Sequence, residues 1–213
     1  MAVAPRPGVR ERAALATRTA ILRAATKVFA KHGFEGGRIE QISKAAHSHD
    51  RMIYYYFGSK QGLFIAVLED AYRRFNVAES ALVIDAHRPA EALQSMIRFI
   101  WAYYRKHPEF ITLLNTENLH RGKHIGKSLR ASEYSGPPLA LTAAVLSSGA
   151  AQGLFRPDVA PRDVYLMIAA MAYFYLSNRH TLSAFLGEKL EQPAALAQWE
   201  AFLIDAVMRT VAV

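Results

Sequence analysis

The segment RMIYYYFGSKQGLFIAVLE, residues 51–69, decides the fold of this chain. A tyrosine-rich helical turn is followed by a break at Gly58-Ser59 and then by a new apolar helix. Glycine readily ends a helix, and serine is a good N-cap for the next one. The segment therefore predicts a short helix over 50–57 and a long helix over 60–78.

Two further helices are predicted before this segment. The stretch TRTAILRAATKVFAKHGFEG, residues 17–36, has apolar side chains at helical spacing, which predicts a helix over 14–32 that ends at Gly33. The stretch RIEQISKAA, residues 38–46, predicts a short second helix, and the polar residues 47–50 predict a turn that caps the third. Helix, helix, tight turn and helix in this order form a helix-turn-helix unit.

The predicted third helix has two different faces when its residues are placed at intervals of about 100°. One face collects the core candidates and one histidine: Ile53, Tyr56, Phe57 and His49. The opposite face, flanked by Tyr54 and Met52, collects the outward residues: Ser48, Arg51 and Tyr55. An outward arginine can bond guanine in two places, and a tyrosine hydroxyl can reach a phosphate. This face therefore suits DNA, although an ordinary amphipathic turn with packed aromatic rings has the same pattern.

The positive charge of the chain is concentrated in its first quarter. Residues 1–60 contain 11 lysines and arginines against 4 acidic residues, whereas residues 61–213 contain 15 against 14. A basic segment joined to a neutral body predicts a polyanionic partner, either nucleic acid or an anionic membrane surface. The membrane alternative needs helices with a free apolar face, but the apolar residues of this segment match one another as a small core.

The rest of the chain is predicted to be helical. The expected helices span 89–106, 108–119, 123–131, 137–152, 161–186 and 193–211. The longest apolar stretch, residues 165–176, is shorter than the roughly 20 apolar residues that a transmembrane helix needs. The chain has no cysteine, which excludes disulfides and thiolate metal sites and permits a cytoplasmic location. We therefore expect an all-α, cytoplasmic protein without a membrane partner.

Residues 17–69 resemble the DNA-binding head of the TetR family of bacterial transcriptional regulators. The three segments quoted above carry the resemblance, and RMIYYYFGSKQGLFIAVLE is the most specific of them. The resemblance implies an N-terminal three-helix helix-turn-helix head and a C-terminal helical body for ligand binding and dimerisation. We expect a flexible basic arm over 1–13, a DNA-binding domain over 14–60 and the body over 61–213. The arm either follows the minor groove or stays a solvated tail.

The resemblance also assigns roles to individual residues of the head. The DNA-binding candidates are Arg38, Ser48, His49, Asp50, Arg51, Met52, Tyr54, Tyr55 and Lys60. Family members often touch phosphate at the position of Arg38, and the paired aromatic positions of Tyr54 and Tyr55 meet backbone and bases. Lys60 occupies the phosphate-binding position at the start of the fourth helix, where helix amides also favour an anion.

The turn and the recognition helix depart from the family pattern at four positions. The family often has glycine at His47, serine at His49, lysine at Asp50 and glycine at Arg51. Asp50 would repel phosphate, but it can accept a hydrogen bond from cytosine N4, and its alternative role is to cap the third helix. Arg51 restores the lost positive charge one position later. We therefore expect DNA binding with a different operator sequence.

The body is expected to form a homodimer. In the TetR family the last two long helices of two copies make a four-helix interface, and the matching segments here are 161–186 and 193–211. The first segment is apolar nearly all round and needs burial on more than one side. A dimer presents two heads to a near-palindromic operator in double-stranded DNA. The resemblance further implies release by a small-molecule effector through a population shift, with repression the commoner outcome.

The effector is expected among the middle helices of the body. The apolar candidates for its pocket are Phe99, Tyr103, Phe110, Leu114, Met167, Met171 and Phe174. The polar candidates are Glu117, Asn118 and His120. The apolar residues have plain core packing as their alternative, and the polar residues have an internal polar network. The sequence of the body does not identify the effector.

Glu117 and His120 also permit a second interpretation, as metal ligands. A Glu-x-x-His spacing can place both side chains on one helix face, and His124 can join them if the helix continues. However, no second copy of the motif is present, and Gly122 weakens the helix between the histidines. The chain also lacks the common catalytic motifs. We therefore expect no enzyme activity, metal or cofactor, with a helical metal-binding protein or enzyme as the alternative.

Overall fold

The computed structural model describes residues 8–85, 87–134 and 136–213. These residues form nine α-helices and no β-strand, which confirms the all-α prediction. In chain order the helices are α1 (Val9–Gly36), α2 (Ile39–Ala45), α3 (Asp50–Phe57), α4 (Lys60–Ser80), α5 (Pro89–Lys106), α6 (Pro108–Leu119), α7 (Gly136–Ala151), α8 (Pro161–Leu186) and α9 (Pro193–Val211). None of the helices among these residues is long and apolar enough to cross a membrane.

Several helix ends agree with the predictions because proline and glycine set them. Proline occupies the first turn of α5, α8 and α9, where its missing N–H group is tolerated. Gly187 ends α8 in the left-handed conformation, with φ 67° and ψ 21°. The helices predicted over 89–106, 108–119, 161–186 and 193–211 have these bounds in the structure.

Two predictions about local structure are wrong. Residues 9–13, predicted to belong to a flexible arm, form the start of α1, and residues 1–7 lie outside the described residues. The helix predicted over 123–131 is replaced by two short 3-10 helices, Ile125–Lys127 and Ala131–Glu133. Arg121 and Gly122 both have positive φ, which ends α6 and turns the chain away from a helical path.

The first compact unit contains the described part of Met1–Ala71 together with Thr112–Leu129. Its core is formed by fully buried apolar side chains of α1 to α4: Ile21, Phe29, Ile42, Ile53, Leu63 and Phe64. Within α1, Gly33 has φ 68° and interrupts the regular helix, so that the predicted end at Gly33 is present as a kink. Phe34 then packs between the rings of Phe29 and Phe64, at 6.2 and 5.1 Å.

The second compact unit contains the described residues of Tyr72–Ile111 and Arg130–Val213. Its central helix is α5, which packs against α7, α8 and α9. Trp101 of α5 is fully buried and lies 5.7 Å from Tyr175 of α8, ring centre to ring centre. Residues 61–71 and 112–129 thus belong to the same compact unit as the predicted DNA-binding head. The assignment of DNA binding to 14–60 and of ligand binding and dimerisation to 61–213 stays a prediction.

Candidate nucleic-acid interface and ligand site

The turn between α2 and α3 is closed by backbone hydrogen bonds. The N–H group of His47 donates to the carbonyl of Lys44 at 3.2 Å, and that of Ser48 donates to the carbonyl of Ser43 at 2.9 Å. His47 has φ 50°, in the left-handed region that glycine adopts without strain. The substitution of histidine for the family's glycine therefore falls at a position where a side chain strains the backbone.

The start of α3 differs from the prediction at two residues. His49, with φ −105° and ψ 149°, is the N-cap residue, and its side chain makes no capping hydrogen bond. Asp50 is already the first helical residue, so its alternative role as N-cap is wrong. His49 is exposed and does not join the core face. Its backbone is extended, so the helical spacing used for the prediction does not apply to it. A carboxylate in the first turn is favourable toward the helix dipole.

The two faces of α3 are otherwise those predicted, with different degrees of burial. Ile53 is fully buried, whereas Tyr56 and Phe57 are half-buried. Tyr55 is 77% exposed, and Arg51 and Tyr54 are exposed beside it. One arginine and two tyrosines therefore project from a helix whose opposite side is fixed in the core.

No DNA-binding candidate is buried within the part of the chain that the structure describes. The exposed candidates are Arg38, His49, Arg51, Tyr54 and Tyr55. The partly exposed candidates are Ser48, Asp50, Met52 and Lys60. All nine lie in the turn, in α3, or at the N-terminal ends of α2 and α4.

The joint between α3 and α4 is short and sterically fixed. Gly58 ends α3 with φ 73°, and its N–H group donates to the carbonyl of Tyr54 at 2.8 Å. Ser59 caps α4 as predicted, since its Oγ accepts the N–H of Gly62 at 2.9 Å. A Cβ atom at Gly62 would overlap the carbonyl oxygen of Phe57. The backbone of α4 therefore rests directly on the end of α3.

Lys60 is held at the start of α4 by two contacts with the end of α1. Its Nζ donates to the carbonyl of Glu35 at 3.1 Å and lies 4.9 Å from the centre of the Phe34 ring. Ammonium over an aromatic face is a favourable cation–π arrangement. These contacts place a positive charge beside the N-terminal amides of α4, where both features attract a phosphate.

Glu117 and His124 form a buried polar pair in the same unit. The Oε2 atom of Glu117 lies 2.7 Å from Nδ1 of His124, and its Oε1 accepts the N–H groups of His124 and Ile125 at 2.7 and 2.9 Å. The His124 ring packs 4.4 Å from the Phe34 ring and 5.0 Å from the Phe64 ring. The pair thus anchors the segment after α6 on the aromatic core of the head.

These hydrogen bonds do not support the metal-binding alternative. The carboxylate of Glu117 is already engaged by three donors, and Nδ1 of His120 donates to the carbonyl of Thr116 at 2.8 Å. The described residues contain no group of three side chains that could hold a metal ion. Glu117 instead belongs to a polar network, while Asn118 is exposed and donates to the carbonyl of Leu114 at 3.0 Å.

The predicted ligand-binding residues are distributed over both units. Leu114, Glu117, Asn118 and His120 belong to the first unit, and the other six candidates belong to the second. Three of those six form one aromatic cluster around Phe75, with ring-centre distances to Phe75 of 5.5 Å for Phe99, 4.9 Å for Tyr103 and 5.9 Å for Phe110. Met167 and Met171 are partly exposed on α8.

Phe174 has a different position from the other aromatic candidates. It is 56% exposed and lines a groove between α8 and α9 together with Trp199 and Phe202. Large exposed apolar side chains continue along the same two helices: Leu166, Phe185, Leu186 and Phe202. Exposed apolar patches of this kind mark interaction surfaces.

Glu79 was not predicted as a site residue. It lies four residues after the buried Phe75 of α4 and so on the same apolar side of that helix, and this position is the signal in the sequence. Glu79 is only 4% exposed, and burial raises its pKa from an ordinary value of 4.5 to about 7. Burial, followed by the charge of Glu79, also raises the pKa of Tyr165.

Two family models match this chain. The model for bacterial regulatory proteins of the tetR family matches residues 21–67, and the model for a tetracyclin repressor-like C-terminal domain matches residues 89–207. The two matches correspond to the head and to most of the body.

Individual proteins of known sequence or structure match most of the length of this chain. The chain is 52% identical over 202 residues to the HTH-type transcriptional repressor NicS of Pseudomonas putida, covering 95% of both chains. It is 31% identical to the HTH-type transcriptional regulator RutR of Escherichia coli, covering 86% of this chain and 84% of that one. A solved transcriptional regulator from Streptomyces coelicolor has a TM-score of 0.68 at 25% identity, covering 92% and 98% of the two chains. The hemolysin II regulator HlyIIR has a similar fold, with a TM-score of 0.58 at 20% identity, covering 94% and 99%.

Proposed function

The chain belongs to the TetR family of bacterial transcriptional regulators, and from this premise we propose that it is an effector-released repressor. It binds a near-palindromic operator as a homodimer, acts in the cytoplasm and catalyses no reaction. The name of the relative NicS, a transcriptional repressor, supports repression over activation. We assign DNA binding to residues 14–60, and effector binding and dimerisation to residues 61–213.

The exposed face of α3 is the observation that carries the DNA-binding proposal. Arg51, Tyr54 and Tyr55 project from a helix that Ile53 anchors in the core. Their side chains can therefore enter a major groove without any change in the packing of the head. In this assignment Arg51 reads bases, and the tyrosines contact backbone and bases.

Phosphate contacts are assigned to two helix N-termini. Arg38 is the N-cap residue of α2 and is exposed, and Lys60 opens α4. Because phosphate contacts set the register of a protein on DNA, these two residues would position the α3 side chains over the bases. Each neutralised phosphate also makes binding weaken with salt.

The exposed apolar face of α8 and α9 supports the dimer. Phe174 and Phe202 line one groove, and Leu166 lies exposed on the same helix as Phe174. A second copy that buries the same patch by a two-fold rotation would cover these side chains on both protomers. We therefore assign Phe174 to the dimer face in place of the effector pocket.

Effector release is proposed to act through a shift between two populations of the body. Of the candidates predicted from the sequence, those that belong to the second compact unit stay assigned to effector contact: Phe99, Tyr103, Phe110, Met167 and Met171. An effector can move the equilibrium only by as much as it prefers the released state. Helix α4 is the natural element to respond, since it carries Lys60 at its first residue.

The first experiment is a footprint of the full chain on the intergenic DNA upstream of its own gene, over a series of salt concentrations. We expect a protected near-palindrome, with affinity that falls as salt rises. The double variant Tyr55→Ala/Lys60→Ala should lose the footprint. Arg162→Ala is the matched control, because it removes an exposed positive charge of α8, outside the head.

The proposal has a clear contradictory outcome. If neither this DNA nor selected genomic DNA contains a preferred site, α3 does not read sequence. Equal loss of binding in Arg162→Ala and in the double variant would show that only general positive charge matters.

A further inference from the structure

Glu79 is a buried acid for which the described residues provide no hydrogen-bonding or charged partner. Its carboxylate makes no side-chain hydrogen bond or ion pair with any residue that the structure describes, and burial alone raises its pKa. Leaving an acidic group in an apolar region without compensation is costly, and native structures seldom retain one without a functional reason. The position in the last turn of α4 places it in the second compact unit.

A second acceptor lies one turn earlier on the same helix. The Nδ2 group of Asn76 donates to the carbonyl of Tyr134 at 3.0 Å, which fixes the orientation of the amide. The Oδ1 atom of Asn76 is then buried, and no donor among the described residues reaches it. Two hydrogen-bond acceptors spaced i, i+3 on α4 therefore receive no side-chain donor from the described residues.

The surroundings of these acceptors are aromatic. Tyr104 is 6% exposed, and its pKa is raised first by burial and then by electrostatic effects of Tyr165, Tyr72 and Glu79. The Tyr104 ring lies 5.5 Å from that of Phe110, in a stacked orientation. Flat apolar walls with a few unmatched polar atoms are typical of small-molecule sites.

We propose that Glu79 and Asn76 bind a small planar effector that carries a positively charged, N–H-bearing nitrogen. The carboxylate of Glu79 accepts the N–H groups and neutralises the charge, Asn76 Oδ1 accepts a further N–H, and the rings of Tyr104 and Phe110 pack against the planar part. This inference rests on the proposed function, since it names the chemical class of the effector. A ligand held by Glu79 contacts the same helix that begins with Lys60.

Three planar probes of nearly equal shape test the charge requirement. Benzamidine is cationic, benzamide is neutral and benzoate is anionic. Calorimetric titration of the full chain without DNA should show binding in the order benzamidine, benzamide, benzoate, with benzamidine binding in a range of about 10 mM or tighter. The variant Glu79→Gln, which keeps the size of the side chain, should weaken benzamidine binding at least about tenfold. The exposed Glu11→Gln should leave it unchanged.

The outcomes separate this inference from the proposed function. Absence of benzamidine binding, stronger binding of benzoate, or an unchanged affinity in Glu79→Gln would overturn the assignment of the effector class. A chain that footprints an operator but fails this test is a repressor with a different effector. A chain that passes this test but finds no operator binds the ligand without the proposed function.

Discussion

Replacement of Glu79 by glutamine should stabilise the protein, by an amount that depends on pH. Burial raises the pKa of this carboxyl from an ordinary value of 4.5 to about 7. A difference of this size between the unfolded and folded pKa corresponds to about 3 kcal/mol. Because the folded state has the higher pKa, the wild type loses stability as the pH rises past 4.5, and the loss is complete above about pH 7.

The variant Glu79→Gln has no ionisable group at position 79, so its stability does not contain this pH-dependent contribution. Glutamine has nearly the shape of the protonated acid, so the two proteins should have similar free energies of unfolding near pH 4.5. At about pH 8.5 the variant should be more stable by up to about 3 kcal/mol. Other ionisable groups are common to both proteins and cancel in the difference.

Urea unfolding followed by circular dichroism measures this difference. The titrations are made at several pH values between about 4.5 and 8.5, at one fixed protomer concentration, because the proposed dimer would make stability depend on concentration. Glu11→Gln, an exposed glutamate, is the control and should follow the wild type at every pH. A stability difference between Glu79→Gln and the wild type that does not change with pH would refute the buried, unpartnered state of Glu79.

Three further predictions concern the head and the dimer face. His47→Gly should raise the free energy of unfolding in urea by about 1 kcal/mol, since φ at this position is 50°; a decrease would show that the histidine side chain makes a stronger compensating contact. Phe202→Asp should weaken dimerisation at least about 100-fold in sedimentation equilibrium, and an unchanged dimer would exclude this face. Arg51→Ala should weaken operator binding by about 5- to 150-fold and relax the preference at one base pair in each half-site, whereas a uniform loss on all sequences would make Arg51 a phosphate contact.

The head was predictable because its signals are local. Gly58 and Ser59 determine where α3 ends and where α4 is capped, and the helical spacing determines that Ile53 faces inward. The wheel misplaced His49 because a wheel assumes helical backbone, whereas the residue before the helix is extended. The prediction of a helix over 123–131 was wrong, since only two short 3-10 helices form there, and spacing alone does not reveal that Glu117 accepts the N–H groups of His124 and Ile125.

The ligand-binding candidates were harder to predict because aromatic side chains serve both cores and pockets. Phe99, Tyr103 and Phe110 do cluster, but the sequence gives no sign that Phe174 lies on another surface. Glu79 carried a better signal, since an acid at an apolar stripe position conflicts with the pattern around it. Such conflicts are expected where function outweighs packing.

Gly62 constrains how a lineage with this head can change its DNA target. Any side chain at this position would collide with the carbonyl of Phe57. The angle between α3 and α4 should therefore change little among related proteins that keep this glycine. In the proposed function, substitutions at Arg51, Tyr54 and Tyr55 would change the operator, since these residues are exposed and leave the joint intact. A mutational scan selected only for folding should therefore tolerate wide variation at these three positions and almost none at Gly62.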